Sequence, residues 1–488
     1  MEQDEKRAWY EAFKFKDSRF DGRFFVGVSS TGVYCRPVCR AKLPKAENCS
    51  FYRTAAEAEQ AGYRPCLLCR PELAPGEAPV DATASLARRA ARLLEESCGS
   101  GRNIEEYVGR LGCTDRHLRR AFAVEYKVSP VQYLQTCRLL LAKNLLTDTR
   151  LSVLDVALSA GFGSLRRFND LFKKHYRLSP GALRKQAAGD QKPEADLALS
   201  LSYRPPYQWE KMLNFLALRA IPGVEAVRGG EYFRTVHLPA GKGRSVSGWV
   251  RVGHKPQSRS LSLSLDASLL PVLQSLLARI RHLFDLYCDP EAIGGVLSAM
   301  NQISPGLYLP GARLPGCFDA FEMAVRAVLG QQITVKAAGT LAARLVNAFG
   351  RPLDGAAAEG LNRTFPTPED IIALDGPIDS HLGPLGITKV RARTILELAR
   401  ALVSGRIDLS LSAQPEVEIK KLMDIPGIGD WTAQYIAMRA MAWPDAFLPA
   451  DCGVKKALAP RTPKEISVLA EAWRPWRAYA VINLWNSV

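Results

Sequence analysis

Two pairs of cysteines near the N-terminus constrain this chain more than any other feature. Cys35-Arg36-Pro37-Val38-Cys39 is followed, about twenty-six residues later, by Cys66-Leu67-Leu68-Cys69. Two close thiol pairs supply a tetrahedral set of four sulfurs, and a closed thiolate shell suits zinc, a borderline-soft ion with no geometric preference of its own. The chain has eleven cysteines, unevenly spread. In a reducing compartment a tight set of four reads as a metal site rather than as disulfides. Cys49 has no partner at ligand spacing and is left out. Residues 1–76 therefore read as a small domain knotted by one zinc ion.

The rest of the chain is too long for one core. Its 488 residues call for three to four domains, and a hydrophobic content of 47% supplies real cores. A net charge of +16 favours a polyanionic partner, with DNA, RNA and an anionic membrane all open on charge. No run of about twenty apolar residues occurs, and the N-terminus, Met1 to Lys6, is polar. The expectation is a cytoplasmic protein without an export signal and without a membrane partner.

After a kinked linker, Ala74 to Pro79, two similar helical units follow within residues 81–186. The first runs from Asn103 to Val108, turns at Gly112-Cys113-Thr114 and continues from Asp115 to Phe122. The second runs from Ser152 to Ala157, turns at Gly161 to Ser164 and continues from Leu165 to Asn169. Each pairs an apolar helix with a basic one, and Thr114 and Ser164 are the expected N-caps. This region carries 19 basic against 10 acidic side chains, a net of +9, so much of the positive charge concentrates here.

Past a polar stretch, Ala187 to Glu194, the period changes to two. Leu197–Tyr203, Tyr232–Leu238, Val246–Val252 and Leu261–Leu265 alternate as half-buried strands of a small antiparallel sheet, covered by a helix from Lys211 to Ala220. No chemistry is assigned to this part, residues 195–285. The remainder, 286–488, reads as helical. It contains Ile425-Pro426-Gly427-Ile428-Gly429, a tight turn whose backbone amides suit a phosphate, followed by a helical segment from Asp430 to Met438. Trp431 and Tyr435, four apart, share a face of that helix. Then comes Asp451, delivered by the apolar, proline-stiffened Phe447-Leu448-Pro449-Ala450 and so a candidate for chemistry. A bland alternative is a loop Asp that merely caps a helix.

Several of these motifs carry family resemblances. Arg19 to Val28, Thr31 to Pro37 and Gly62 to Cys66, over roughly residues 8–72, resemble the N-terminal domain of the Ada adaptive-response proteins. That resemblance implies a zinc ion on Cys35, Cys39, Cys66 and Cys69, and a Cys35 that irreversibly accepts a methyl group from a methylphosphotriester in DNA. Thr31, Lys42 and Arg64 would neighbour the phosphate. The chemistry is coherent, because zinc keeps the sulfur as the nucleophilic thiolate. Methylation halves the formal charge of minus two on the four-thiolate centre, so affinity for DNA should rise. The paired helical units, with Tyr126-Lys127-Val128-Ser129-Pro130 and Tyr176-Arg177-Leu178-Ser179-Pro180, resemble the AraC-type DNA-binding domain. Arg116, Arg119, Arg120, Arg166 and Arg167 are then candidates for groove or phosphate contacts.

Tyr203 to Trp209, Leu307 to Gly311, Asp319 to Gln332, Ile425 to Gly429 and Phe447 to Asp451 resemble the AlkA-type, helix-hairpin-helix branch of the DNA glycosylases. The resemblance covers about 290 residues. It implies that Gly427 and Gly429 grip DNA, with a monovalent cation admitted at the hairpin. Trp431, Tyr435 and Trp485 would stack a flipped, alkylated base, Gln332 would stand at the wedge position, and Asp451 would be the catalytic acid. A polar Gln332 departs from the aliphatic wedge of the family. Trp431 occupies the place of the lysine found in relatives that nick the strand, so a monofunctional glycosylase is expected.

The fold class that results is multidomain and mainly α with a small α+β part. The function expected is a regulator and repair enzyme acting on alkylated and promoter DNA, associated with the nucleoid and meeting RNA polymerase. The competing reading is a DNA-binding regulator whose glycosylase body is inert. Alkylguanine methyl transfer is not expected, since no Pro-Cys-His-Arg motif occurs.

Overall fold

The computed structural model describes residues 3–16, 20–21, 24–52, 55–71, 82–97, 111, 113–187, 197–241, 243–353 and 360–488. The expected helix Asn103–Val108, Gly112 of its turn, the linker Ala74–Pro79 and the stretch from 188 to Glu194 lie outside the described residues. The chain folds as two compact units, Met1–Ala90 with Val108–Ser129, and Ala91–Tyr107 with Pro130–Val488.

In the first unit, strands β1 (Phe25–Val28), β2 (Val33–Cys35), β3 (Cys49–Tyr52) and β4 (Arg64–Pro65) form a sheet of order β3-β1-β2-β4. Three strands are antiparallel, while β4 runs parallel to β2, pairing Val33 with Arg64. Its core is small. Phe24, Val26 and Val28 pack with Phe13 and the four cysteines, and Trp9 stacks on Phe24 at 4.8 Å. So few apolar side chains leave a domain of this size short of buried area, which is why a metal knot matters to its stability. The same unit holds the helix Asp115–Glu125, capped by Thr114, whose side chain accepts from the His117 amide. That cap is the expected one.

In the second unit, the helices Pro130–Asp148, Val153–Ser159 and Leu165–Tyr176 share one hydrophobic core with a five-stranded antiparallel sheet. Ser164 caps the last of them by accepting from the Arg167 amide, as expected. The sheet has order β5-β9-β8-β7-β6, from β5 (Ala198–Ser202), β6 (Glu225–Arg228), β7 (Glu231–Gly241), β8 (Arg244–Lys255) and β9 (Ser260–Leu265). The four expected strands are present, and β6 is an edge strand too short for its alternation to show. The covering helix spans Trp209–Ala217, beginning earlier than Lys211 because Trp209 packs inward with Met212, Leu213 and Leu216. Beyond the sheet the chain is helical around Ala320–Leu329, a helix buried on nearly every side. Among the described residues, no helix is long and apolar enough to cross a membrane.

Candidate functional site

The hairpin stretch folds as the sequence predicts. Pro415–Met423 and Asp430–Ala440 are helices, and Ile425–Gly429 is the turn between them. Gly427 has φ of +92°, and a Cβ there would lie 2.2 Å from Thr394 Oγ1. Thr394 Oγ1 donates to the Pro426 carbonyl at 2.7 Å, and Gln331 Nε2 donates to the Gly427 carbonyl at 2.8 Å and to Thr432 Oγ1 at 3.0 Å. Two side chains thus engage the hairpin's carbonyls. A Cβ on Gly429 would meet nothing within 4 Å, which leaves that position open to close approach.

Asp451 lines a cavity of about 470 Å³, a size in the usual range for small-molecule pockets. It does cap a short helix, Cys452–Ala457, with Oδ1 accepting from the Gly453 and Val454 amides at 2.9 and 3.2 Å. Capping is not its sole engagement. Trp485 Nε1 donates to Oδ1 at 2.8 Å and Trp431 Nε1 donates to Oδ2 at 3.1 Å. Four N–H groups therefore fix a half-buried carboxylate. Gly453 permits the arrangement, since a Cβ there would stand 2.7 Å from the Trp485 ring. Asp445, just before this segment, is held by Arg474 and Arg477 and is structural.

The cavity walls are aromatic. Trp431 and Tyr435 stack with centroids 5.2 Å apart and 16° between planes, and Tyr435 meets Trp485 edge-on at 6.2 Å. Arg439 Nη1 donates to the Tyr435 hydroxyl at 2.8 Å. Burial raises the Tyr435 pKa, but the charges of Arg439, Arg219 and Arg326 outweigh it and hold the phenol below its usual value. The structure thus brings Asp451, Trp431, Tyr435 and Trp485 together. Gln332 is exposed, with φ of +54°, in the loop beside the hairpin and outside the residues that line the cavity.

Sequence reasoning missed the floor of this cavity. The β-sheet part, assigned no chemistry, contributes Phe215, Arg219, Glu225 and Arg234 to the lining. Glu225, Arg234, Glu322 and Arg326 form a buried ion network, with Arg326 Nη1 donating to Glu225 and to Glu322 at 2.8 Å each. Burial raises the Glu225 pKa, but Arg326 and Arg234 prevail and bring it down to about 2. Signals for this network were present. Arg234 falls on the inward beat of β7 with Tyr232, Val236 and Leu238, and Glu322 and Arg326 stand four apart in an otherwise apolar helix. Gln331, which ties down the hairpin, was also passed over for its neighbour Gln332.

The four N-terminal thiols meet. The Sγ atoms of Cys35, Cys39, Cys66 and Cys69 lie within 4.8 Å of one another, near the separation of about 3.8 Å that tetrahedral zinc–sulfur bonds impose. All four are buried. Hydrogen bonds to Cys39 and Cys69, together with burial, push the Cys35 thiol far above its ordinary value, so a cluster of thiolates here requires a cation. The donor set fits zinc. The Arg36 amide donates to Cys69 Sγ at 3.4 Å, and the buried Arg36 side chain pairs with Asp21. Thr31, Lys42 and Arg64 are exposed, and Thr31 and Arg64 flank the start of the strand that ends at Cys35. Arg116, Arg119, Arg120, Arg166 and Arg167 are exposed as well, Arg119 in a surface pair with Asp115.

Four family models match successive parts of the chain. Residues 8–72 match the metal binding domain of Ada, 107–186 a helix-turn-helix domain, 198–319 the AlkA N-terminal domain, and 325–476 the HhH-GPD superfamily of base excision DNA repair proteins. A solved 3-methyladenine DNA-glycosylase from Archaeoglobus fulgidus is 21% identical, with a TM-score of 0.49 over 59% of this chain and 96% of that one. The Escherichia coli protein "DNA-3-methyladenine glycosylase 2" is 39% identical over 59% of this chain and 96% of its own length. The Mycobacterium tuberculosis "Probable bifunctional transcriptional activator/DNA repair enzyme AlkA" is 37% identical over 98% of this chain and 96% of that one. With a relative matched from end to end and all four domains in the same chain, the protein belongs to the family of Ada–AlkA bifunctional transcriptional activator/DNA repair enzymes.

Proposed function

We propose that the chain excises alkylated purines from DNA with Asp451 and accepts methyl groups from DNA phosphotriesters on Cys35, the second reaction switching its binding to promoter DNA. The observation that carries the first half is the Asp451 carboxylate, fixed by two indole and two amide N–H groups in the lining of a cavity that also holds Trp431, Tyr435 and Trp485. A base reaches such a cavity only when its nucleotide leaves the duplex, at a cost of a few kcal/mol that is smaller for a damaged base. Trp431, Tyr435 and Trp485 stack on it, and an electron-poor purine stacks well on electron-rich rings. As the C1′–N bond breaks, its electron pair stays with the base and positive charge grows on the sugar. Asp451 stabilises that charge and orients the water that attacks C1′. Trp431 offers no amine to attack the sugar, so no strand nicking accompanies base release.

Gly427 and Gly429 present backbone amides to a phosphate, and Gln332 fills the gap left by the flipped base. A monovalent cation at the hairpin would use the second lone pairs of the Pro426 and Gly427 carbonyls, whose first lone pairs accept from Thr394 and Gln331. In the N-terminal domain Cys35, Cys39, Cys66 and Cys69 hold zinc, which supplies a sulfur kept as thiolate at neutral pH. Cys35 Sγ forms the new bond to the methyl carbon while the methyl–oxygen bond of the phosphotriester breaks, with Thr31, Lys42 and Arg64 holding the phosphate. Arg116, Arg119, Arg120, Arg166 and Arg167 contact promoter DNA, where the chain meets RNA polymerase in the cytoplasm. The working limits of the modules are 1–76, 81–186, 195–285 and 286–488.

The test is base release from a duplex carrying 7-methylguanine, compared between the protein and Asp451→Asn. Release that depends on the carboxylate supports the enzyme. Release that survives the substitution, or strand cleavage without added base, sinks this mechanism, and no release at all favours a regulator with an inert glycosylase body.

A further inference from the structure

We propose that Arg219 is the specificity-determining residue for neutral damaged purines, its guanidinium donating a charge-assisted hydrogen bond to an acceptor atom of the departing base. The proposal rests on the glycosylase reading and deepens it.

Arg219 follows the helix Trp209–Ala217 and lines the same cavity as Asp451, Trp431, Tyr435 and Trp485. Its guanidinium lies 3.7 Å over the Phe215 ring, which stacks in turn beside Trp485 with 19° between planes. Nη1 donates to the Phe215 carbonyl at 3.3 Å, and the backbone carbonyl of Arg219 accepts from Arg326 Nη2. Arg326 is itself fixed by Glu225 and Glu322. The backbone of Arg219 is therefore tied to the ion network and its side chain is set by Phe215 and Tyr435, yet among the described residues no carboxylate pairs with it. Arg234 and Arg326 are matched by two glutamates, and Arg439 is spent on the Pro315 and Gly316 carbonyls and the Tyr435 hydroxyl. Arg219 is the surplus cation of the cavity: its fork of five donors is engaged by the Phe215 carbonyl and the Tyr435 phenol, and by no carboxylate among the described residues.

A surplus cation is the wrong ornament for a site that meets purine cations alone. A cationic N-alkylpurine leaves as a neutral molecule, and it needs no help holding the electron pair of the broken bond. A neutral purine, such as a deaminated one, leaves with negative charge on its ring. Water adds to C1′, and the proton that water loses ends on the base. A fixed guanidinium at the base, opposite a carboxylate at the sugar, stabilises this charge separation as it develops. Its value is larger for the neutral base, where the hydrogen bond becomes charge-assisted from both sides.

The test uses the full-length protein in single-turnover base release from two duplexes, one with a single deoxyinosine and one with a single 7-methylguanine. Arg219→Met should lower hypoxanthine release roughly a hundredfold and 7-methylguanine release by less than about tenfold, so that the ratio shifts by at least about tenfold. Arg219→Lys, which keeps the charge without the planar fork, should recover part of that ratio. A wild-type protein that releases 7-methylguanine but no hypoxanthine overturns the proposal. So does an equal loss on both duplexes, or a Lys variant with the ratio of the Met variant. Release of neither base by the wild type refutes the glycosylase reading itself.

Discussion

The sulfur centre and the carboxylate centre are built on opposite plans. The four cysteines come from a stretch of thirty-five residues, meet in a core of a few side chains, and need a metal ion to coexist as thiolates. The residues around Asp451 come from positions 215 to 485 and rest on a large core and a buried ion network. In the reactions proposed, one plan gives a centre that reacts once, since a methylated sulfur has no return path. The other gives a centre restored at the end of each cycle, because Asp451 would form no lasting bond. A cheap, local scaffold suffices for a single-use sensor, whereas turnover requires a cavity whose walls survive many flipped bases.

The largest effect separating the two comes from Cys35→Ser. Methyl uptake should vanish, as peptide mass would show, while base release persists in the same sample. Next, Asp451→Asn keeps the shape but loses the charge, and should slow single-turnover release by roughly 10²–10³-fold, in line with the loss of a preorganised charge partner. Methyl uptake should be untouched; coupled losses in either variant would break the division.

Two further predictions concern the floor of the cavity. Glu225→Gln leaves Arg234 and Arg326 short of a buried partner and should cost about 3–5 kcal/mol in denaturant unfolding. With the Glu225 pKa held near 2, against an ordinary value near 4.5, its contribution is present above about pH 4.5 and fades as pH falls toward 2. The wild type should therefore lose stability in that acid window, and the Gln variant should lose less. The smallest effect belongs to Trp485→Phe, which keeps the ring and removes the 2.8 Å bond to Asp451 Oδ1. A fall of roughly three- to tenfold in base release is expected; a larger one would mean that the indole N–H orients the carboxylate more than the backbone amides do.

The same contrast explains what was legible in the sequence. Cysteine spacing states its geometry outright, and the hairpin glycines, the capping Thr114 and Ser164 and the Trp431–Tyr435 pair are local patterns read from neighbours in the chain. Asp451 stood out because an acid ends an apolar segment. Arg219, Glu225 and Arg234 did not, since their role arises only when the β-sheet folds against the helix Ala320–Leu329. The inward placement of Arg234 was visible in the alternation of β7 and that of its partners in the Glu322/Arg326 spacing, whereas Arg219 and Glu225 gave no such signal. The meaning of that placement depended on partners about a hundred residues away, and no local pattern encodes those.

The central claim is one chain with a consumable sulfur and a recyclable carboxylate. The most direct measurement supplies excess DNA bearing both methylphosphotriesters and 7-methylguanine and counts both products per protein molecule. The account predicts free base rising past one equivalent while methyl groups plateau at one, located on Cys35. Free base that stops at or below one equivalent, or a methyl adduct found away from Cys35, would contradict it.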